Sequence, residues 1–189
     1  MTRTPGTHDV ALPAGGRLKL GVIADTHGRP HPDAARLVAA EAPDLLLHAG
    51  DIGDASCLSP FEAIAPLVRV RGNIDEDDAG PDTAVVRVVS ERGETSLVIA
   101  LTHIAVYGSR LRHDAHRDAL HLGADLVVCG HSHVPLVARD RGLAIFNPGS
   151  CGPRRFALPI TVGFIEISAD GVAFRHVDCT TGERWRPAA

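Results

Sequence analysis

The sequence predicts a layered α/β domain, with two sheets packed face to face and helices outside them. Three observations predict it. Strands and helices alternate through the early part of the chain, whereas strands dominate the later part. The strand segments are near-continuous aliphatic runs, as expected where both faces of a sheet are covered. Aromatic residues make up only 4% of the 189, so the core must be built from Val, Leu, Ile and Ala.

The elements follow in order. Residues 1–16 carry Thr, Pro and Gly without periodicity and predict a flexible leader. A single domain is expected over 17–180, followed by a tail at 181–189 with no clear element. "LKLGVIAD" is an aliphatic strand ending in Asp25. "PDAARLVAAEA" has helical spacing, with Pro32 near its start and Leu37 and Val38 facing the core. "DLLLHAGD" is a second apolar run ending in an acid, and "CLSPFEAIAPLV" is a short helix leading into "LVRVRGNID". "TAVVRVVS" and "TSLVIALTH" pair around the turn "ERGE". "RHDAHRDALHLGA" is a helix closed by Gly123, and "DLVVCGH" is a strand. "PLVARDRGLAIFNPGS" predicts a hairpin turning near Asp140–Gly142, and "ITVGFIEIS" pairs with "VAFRHVD" around "ADG".

Composition excludes several classes. A net charge of −4 argues against general nucleic-acid binding. No run approaches the length of a membrane-spanning helix, and "MTRTPGTHDVALPAGGRLK" lacks the apolar core of a secretory signal. Cys57, Cys129, Cys151 and Cys179 are scattered, with no CxxC. They read as reduced thiols of a cytoplasmic protein.

Chemistry-bearing side chains gather at the strand ends. "IADTHG" carries Asp25 and His27, and "HAGDIGD" carries Asp51 and Asp54. "RGNID" carries Asn73 and Asp75, "LTHIAVYG" carries His103, and "VVCGHSHVP" carries His131 and His133. In open α/β sheets the loops beyond the carboxyl ends of strands form the ligand site. Mixed carboxylate, amide and imidazole donors suit Mn, Fe, Co or Zn, and the lack of thiolates argues against a structural zinc site. Seven side chains with one shared carboxylate would hold two ions, and two ions about 3.5–4 Å apart clamp both ends of an in-line displacement at phosphorus.

"DTHG", "GDIGD", "GNID", "LTH", "GHSH" and "NPGS…PR" resemble, in order, the motifs of the calcineurin-like metallophosphoesterase superfamily. Within it, the chain resembles the small prokaryotic YfcE-type phosphodiesterases from about Leu18 to about Val177. The resemblance implies a four-layer α-β-β-α sandwich of the metallophosphoesterase type with a dinuclear site. By motif position, Asp25, His27, Asp51 and His133 would hold one ion, and Asp51, Asn73, His103 and His131 the other. Asp51 would bridge, and Asp51, Asn73 and His103 are the expected catalytic set. The expected nucleophile is a water or hydroxide between two divalent ions, manganese first, with Fe, Zn, Co or Ni as alternatives. The expected substrate is a small phosphodiester, with no membrane partner and with late strands available for pairing between copies of the chain.

Two departures qualify the resemblance. Ile74 stands where the wider superfamily has a leaving-group histidine, which the small branch usually lacks. Activity is therefore expected on esters with acidic leaving groups, or with help from another group. Ile104–Ala105 replaces the Gly-His pair of the branch. Asp54 and Asp75 are candidates for orienting imidazoles, or plain loop acids. Arg154 and Arg155 are candidate phosphate contacts, with surface solvation at least an equal reading for Arg155. His113, His116 and His121 read as surface residues of a polar helix, and His48 as a strand residue packed near the site. His8, His31 and His176 receive no functional reading. The rival function is a protein-docking scaffold, because the same fold includes a retromer subunit that has lost key ligands.

Overall fold

A computed structural model describes residues 5–186. The chain runs β1 (Gly6–Ala11), β2 (Leu18–Ile23), α1 (Ala34–Ala40) and β3 (Leu45–His48). A 3₁₀ turn (Ala55–Leu58) leads into the short helix α2 (Ser59–Glu62) and then β4 (Leu67–Arg69). Next come β5 (Thr83–Val89), β6 (Thr95–Thr102), the small hairpin β7 (Val106–Tyr107) and β8 (Arg110–Leu111), and α3 (His113–His121). The last strands are β9 (Leu126–Val128), β10 (Leu136–Asp140), β11 (Leu143–Asn147), β12 (Thr161–Ser168), β13 (Gly171–Asp178) and β14 (Arg184–Trp185).

The strands form two six-stranded sheets, ordered β1-β5-β6-β9-β11-β10 and β14-β13-β12-β2-β3-β4. Their facing sides share one aliphatic core. Leu20, Val22, Leu45 and Leu47 of the second sheet meet Val86, Val88, Ile99, Leu101 and Val128 of the first. The outer face of the second sheet packs Ile23, Leu46 and Phe164 against Val38 of α1 and Phe61 of α2. The outer face of the first packs Ala100, Val127 and Ile145 against Ala119 of α3. The result is the expected four-layer α-β-β-α sandwich. The central strands β2, β3, β9 and β12 serve two apolar layers at once, which is why their sequences are near-continuous aliphatic runs. Each fully buried Leu, Ile or Phe contributes roughly 1.5–3 kcal/mol by leaving water.

Two expectations are corrected. Residues 6–11, expected within a flexible leader, form β1 in parallel register with β5. Val10 and Leu12 reach the inter-sheet core, and the Arg87 guanidinium grips Asp9 bidentately at 2.7 and 2.9 Å. The edge of β5 supplies the unpaired backbone groups that order this segment. In the expected tail, β14 pairs with β13, and Trp185 meets the His176 ring edge-on at 5.8 Å. Residues 1–4 of the leader and 187–189 of the tail lie outside the described residues. Among the described residues, no helix is long and apolar enough to cross a membrane.

Candidate metal centre

Five strand ends build the site. β2, β3 and β4 are mutually parallel neighbours in one sheet, and β6 and β9 are parallel neighbours in the other. Their carboxyl ends deliver Asp25 and His27, Asp51, Asn73, His103, and the His131–His133 pair respectively. Backbone hydrogen bonds latch the loops together. The N–H groups of Asp25, His27 and Gly28 donate to the carbonyls of Gly50, Asp51 and Ile52 at 2.9, 3.0 and 2.6 Å. Gly130 donates to the His103 carbonyl at 3.0 Å.

The latches hold an unusual backbone. Asp25, His27, Asp51, His131 and His133 all have positive φ, between 48° and 67°. Such a conformation costs a non-glycine residue about 1–3 kcal/mol, and it concentrates where structure over-determines a functional geometry. Glycines make room around it. A Cβ on Gly72 would overlap the backbone nitrogen and carboxylate of Asp51, and one on Gly130 would meet the Ala49 carbonyl at 2.9 Å and Asp25 Oδ2 at 3.0 Å.

Two groups of side chains here could hold a metal ion: Asp25 with His27 and His133, and Asp25 with Asp51 and His103, the ligand atoms within each group lying within 4.8 Å of one another. His27 and His133 stack with ring centroids 5.3 Å apart and Nε2 atoms 3.4 Å apart. Two nitrogens bound at ~2.1 Å to a tetrahedral zinc would stand about 3.4 Å apart. Asp51 lies between the halves, with Oδ2 3.7 Å from His27 Nε2 and Oδ1 3.2 Å from His103 Nε2. The carboxylate common to both groups is Asp25, whose two oxygens accept from the His131 N–H at 3.2 and 3.1 Å.

Proton positions follow from the partners. His103 Nδ1 lies 2.7 Å from the Ala49 carbonyl, which can only accept, so Nδ1 carries the proton. Its Nε2 is buried and has no hydrogen-bond partner, because the approach to Asp51 is close without being aligned. A lone pair buried in this way is costly unless a cation meets it. At His27, the Arg155 guanidinium donates to Nε2 at 3.3 Å, so that nitrogen also presents a lone pair. Oxygen and imidazole donors without thiolate fit a borderline or harder divalent ion.

Among the charged groups themselves, burial opposes a charge on His103, but Asp51 and the Ala49 carbonyl outweigh it and raise its pKa. Burial pushes Asp25 up to about 7. It also acts to raise Asp51, but His103, the Ile74 N–H and His27 outweigh it and hold Asp51 well below the usual carboxylate range. Desolvation, aided by the Arg155 charge, brings His133 down to about 4, so it is neutral and ready to ligate near pH 7.

Asn73 and His131 adjoin these groups. Asn73 is exposed and shares a hollow of about 350 Å³ with His103, Arg71 and Ile104. His131 is exposed and sets its ring edge-on to His103 at 5.2 Å. The supporting acids do not touch imidazoles. Asp54 accepts from the Ser56 N–H and caps the 3₁₀ turn. Asp75 accepts from the N–H groups of Ile52, Gly53 and Gly72 at 3.0, 2.8 and 2.7 Å, tying two loops together. Arg154 donates to the Leu158 carbonyl at 3.0 Å, and it is Arg155 that reaches the site. The two candidates are thus divided, with Arg154 bracing its own turn and Arg155 facing His27. His113, His116 and His121 lie on α3 and belong to no metal-capable group among the described residues.

Two segments that the sequence placed near the site take supporting roles it did not specify. His48 is buried in a relay: the Gly50 N–H donates to its Nδ1 at 3.1 Å, its Nε2–H donates to Thr26 Oγ1 at 3.1 Å, and Thr26 donates to the Ile52 carbonyl at 2.9 Å. The "NPGS" segment fastens the other loops. Asn147 Nδ2 donates to the Gly130 carbonyl at 2.7 Å and to Ser132 Oγ at 3.2 Å, and Ser150 Oγ donates to the Asp25 carbonyl at 3.0 Å.

Comparison with known proteins follows the same lines. Residues 18–170 match the model of the calcineurin-like phosphoesterase superfamily domain. A probable metallophosphoesterase of Methanothermobacter thermautotrophicus is 33% identical over 137 residues, covering 69% of this chain and 76% of that protein. Among solved structures, the E. coli phosphoesterase YfcE superposes with TM-score 0.60 at 21% identity, covering 89% of this chain and 97% of that one. Vacuolar Protein Sorting 29 from Cryptosporidium parvum superposes with TM-score 0.71 at 18% identity, covering 89% and 95%. The two structural likenesses concern the fold.

Proposed function

The chain belongs to the calcineurin-like phosphoesterase superfamily, and from that premise we propose that it is a metal-dependent phosphodiesterase with a dinuclear centre. Asp25, His27, Asp51 and His133 would hold one ion, and Asp51, Asn73, His103 and His131 the other. Two divalent ions, manganese first and Fe, Zn, Co or Ni as alternatives, would supply a water-derived nucleophile at neutral pH and neutralise charge on the phosphoryl oxygens.

The observation that carries this reading is the buried, unpartnered Nε2 of His103 facing two acids in a frame of strained loops. The chain's own residues do the rest. Ala49 fixes the His103 tautomer, Asp75 and His48 hold the Asp51 loop, and Asn147 holds the His131–His133 loop. Ile74 is half-exposed and offers no proton to a departing alkoxide. Diesters with acidic leaving groups are therefore the expected substrates. Ile104 lines the hollow beside His103, and Ala105 is buried under α3, so this edge presents an apolar contact to substrate. The scattered free thiols fit a reducing, cytoplasmic setting.

The likeness to Vacuolar Protein Sorting 29 favours a docking scaffold as the second reading. All seven ligand-type side chains are present here, which weighs against it. The deciding experiment is hydrolysis of bis-p-nitrophenyl phosphate by metal-stripped protein before and after manganese is added. p-Nitrophenyl phosphate runs in parallel, with Asp51→Ala and His103→Ala as controls. Manganese-dependent diester cleavage, abolished in both variants, is the expected result. Preference for the monoester would overturn the substrate class. Absence of both activity and metal binding would leave the scaffold.

A further inference from the structure

Arg154 and Arg155 are adjacent, yet their surroundings divide them. The Leu158 N–H donates to the Arg155 carbonyl at 3.2 Å and closes a four-residue turn, 155–158. Arg154 braces that turn through the Leu158 carbonyl. Arg155 makes no ion pair among the described residues, and its recorded hydrogen bond is to a neutral acceptor, His27 Nε2. Its positive charge is felt at Asp25, His27, His131 and His133. Once His27 Nε2 serves as a metal ligand, its lone pair is no longer available to Arg155. A planar guanidinium would then stand at the mouth of the site with free donors, the group best shaped for a phosphoryl oxygen.

The next residue is equally exceptional. Phe156 sits at the second position of the turn with φ 53°, and 92% of it is exposed. A bulky aromatic in the left-handed region is a genuine outlier, and an outlier of this kind points to a use. Exposed large hydrophobics recur immediately after site residues: Ile74 follows Asn73, Val134 follows His133, and Phe156 follows Arg155. Exposed apolar side chains that directly follow charged or polar site residues in the chain suit a ligand with a charged middle and apolar arms.

We infer that the turn 155–158 is a substrate clamp, in which Arg155 donates to a non-bridging phosphoryl oxygen and Phe156 seats an aromatic ester arm, either aryl or nucleobase. This rests on the phosphodiesterase reading above and specifies its substrate class. The test is calorimetric titration of the manganese-loaded full chain with diphenyl phosphate and with dimethyl phosphate, with bound metal measured in each sample. Wild type is expected to favour the diphenyl ester. Phe156→Ala should erase that preference, roughly 3–10-fold, and leave dimethyl phosphate binding unchanged. Arg155→Gln should weaken both esters roughly 10–100-fold at unchanged metal content, and Arg155→Lys should recover part of the loss. In hydrolysis of bis-p-nitrophenyl phosphate, Arg155→Gln should raise KM.

Wild-type binding of both esters by Arg155→Gln would overturn the clamp. So would loss of metal in that variant, because Arg155 would then be a support for His27. Retained preference in Phe156→Ala would overturn the aromatic seat. A wild type that binds neither metal nor diester would sink the phosphodiesterase reading and the clamp with it. A loaded, active wild type with indifferent variants would sink the clamp alone.

Discussion

The Ala49 carbonyl lies 2.7 Å from Nδ1 of His103 and thereby decides which nitrogen of that ring faces the acids. Nε2 is left buried with a lone pair and no hydrogen-bond partner. Replacing His103 by Gln removes the aimed lone pair and frees the Ala49 carbonyl. Metal affinity should fall by more than the ~10–100-fold typical of losing a supporting partner. Calorimetric titration with manganese and with zinc reads this directly, with circular dichroism to check the fold. Unchanged affinity would remove His103 from the ligand set.

Asn147 tests whether the loops are held from behind. It is fully buried, donates to the Gly130 carbonyl and Ser132 Oγ, and accepts from the Gly149 N–H at 2.9 Å. Asn147→Ala leaves buried backbone groups unpaired and should cost on the order of 3 kcal/mol. Metal affinity should fall by about 10–100-fold as the His131–His133 loop loosens. Urea unfolding and metal titration measure the two effects separately. A variant with wild-type stability would show that the latch is incidental.

The gathering of acids and imidazoles at the strand ends was legible because it combines two independent signals, an aliphatic strand and a metal-type side chain just past its end. The four layers were legible because a strand covered on both faces cannot alternate. β1 was not, because its pairing partner β5 lies more than 70 residues away and its own segment is mostly polar. The division of labour between Arg154 and Arg155 depends on a turn closed by Leu158, which adjacent arginines do not advertise. The left-handed backbone of Asp25, His27, Asp51, His131 and His133 was equally hidden, since hydrogen bonds between distant loops impose it. The placement of Asp75 against the N–H groups of Ile52 and Gly53 in another loop is of the same kind.

Gly72 is a steric prediction. A Cβ there would overlap the Asp51 backbone nitrogen and carboxylate, and neither can move without disturbing the site. Gly72→Ala should destabilise by at least about 1–3 kcal/mol and should weaken metal binding in the fraction that folds. Gly15 has nothing within 4 Å of such an atom, so Gly15→Ala is the control and should stay within about 0.5 kcal/mol of wild type. Thermal melts with and without manganese compare the two. Equal behaviour would mean that the loops around Asp51 are softer than their packing implies.

His48 sets an acid limit on the fold. Burial lowers its pKa to about 3, and its Nδ1 is already occupied by the Gly50 N–H, so no proton can enter without breaking the relay. The unfolded chain binds that proton near the ordinary value of about 6.5. Below this value the unfolded state takes up a proton that the folded state refuses. The contribution of His48 is therefore fully present above about pH 6.5 and is lost as pH falls toward 3. Between pH 7 and pH 5 the loss should be on the order of 2 kcal/mol. His176 is buried, with Nε2 against the Asn147 carbonyl, and is shifted in the same direction, so it adds to the slope. His48→Gln removes the titrating ring but keeps an amide that can donate to Thr26. It should be less stable than wild type at pH 7 and should lose less stability on going to pH 5. Urea midpoints of both proteins at the two pH values measure the difference in slope. Parallel curves would assign the acid sensitivity to other groups and leave His48 a packing residue only.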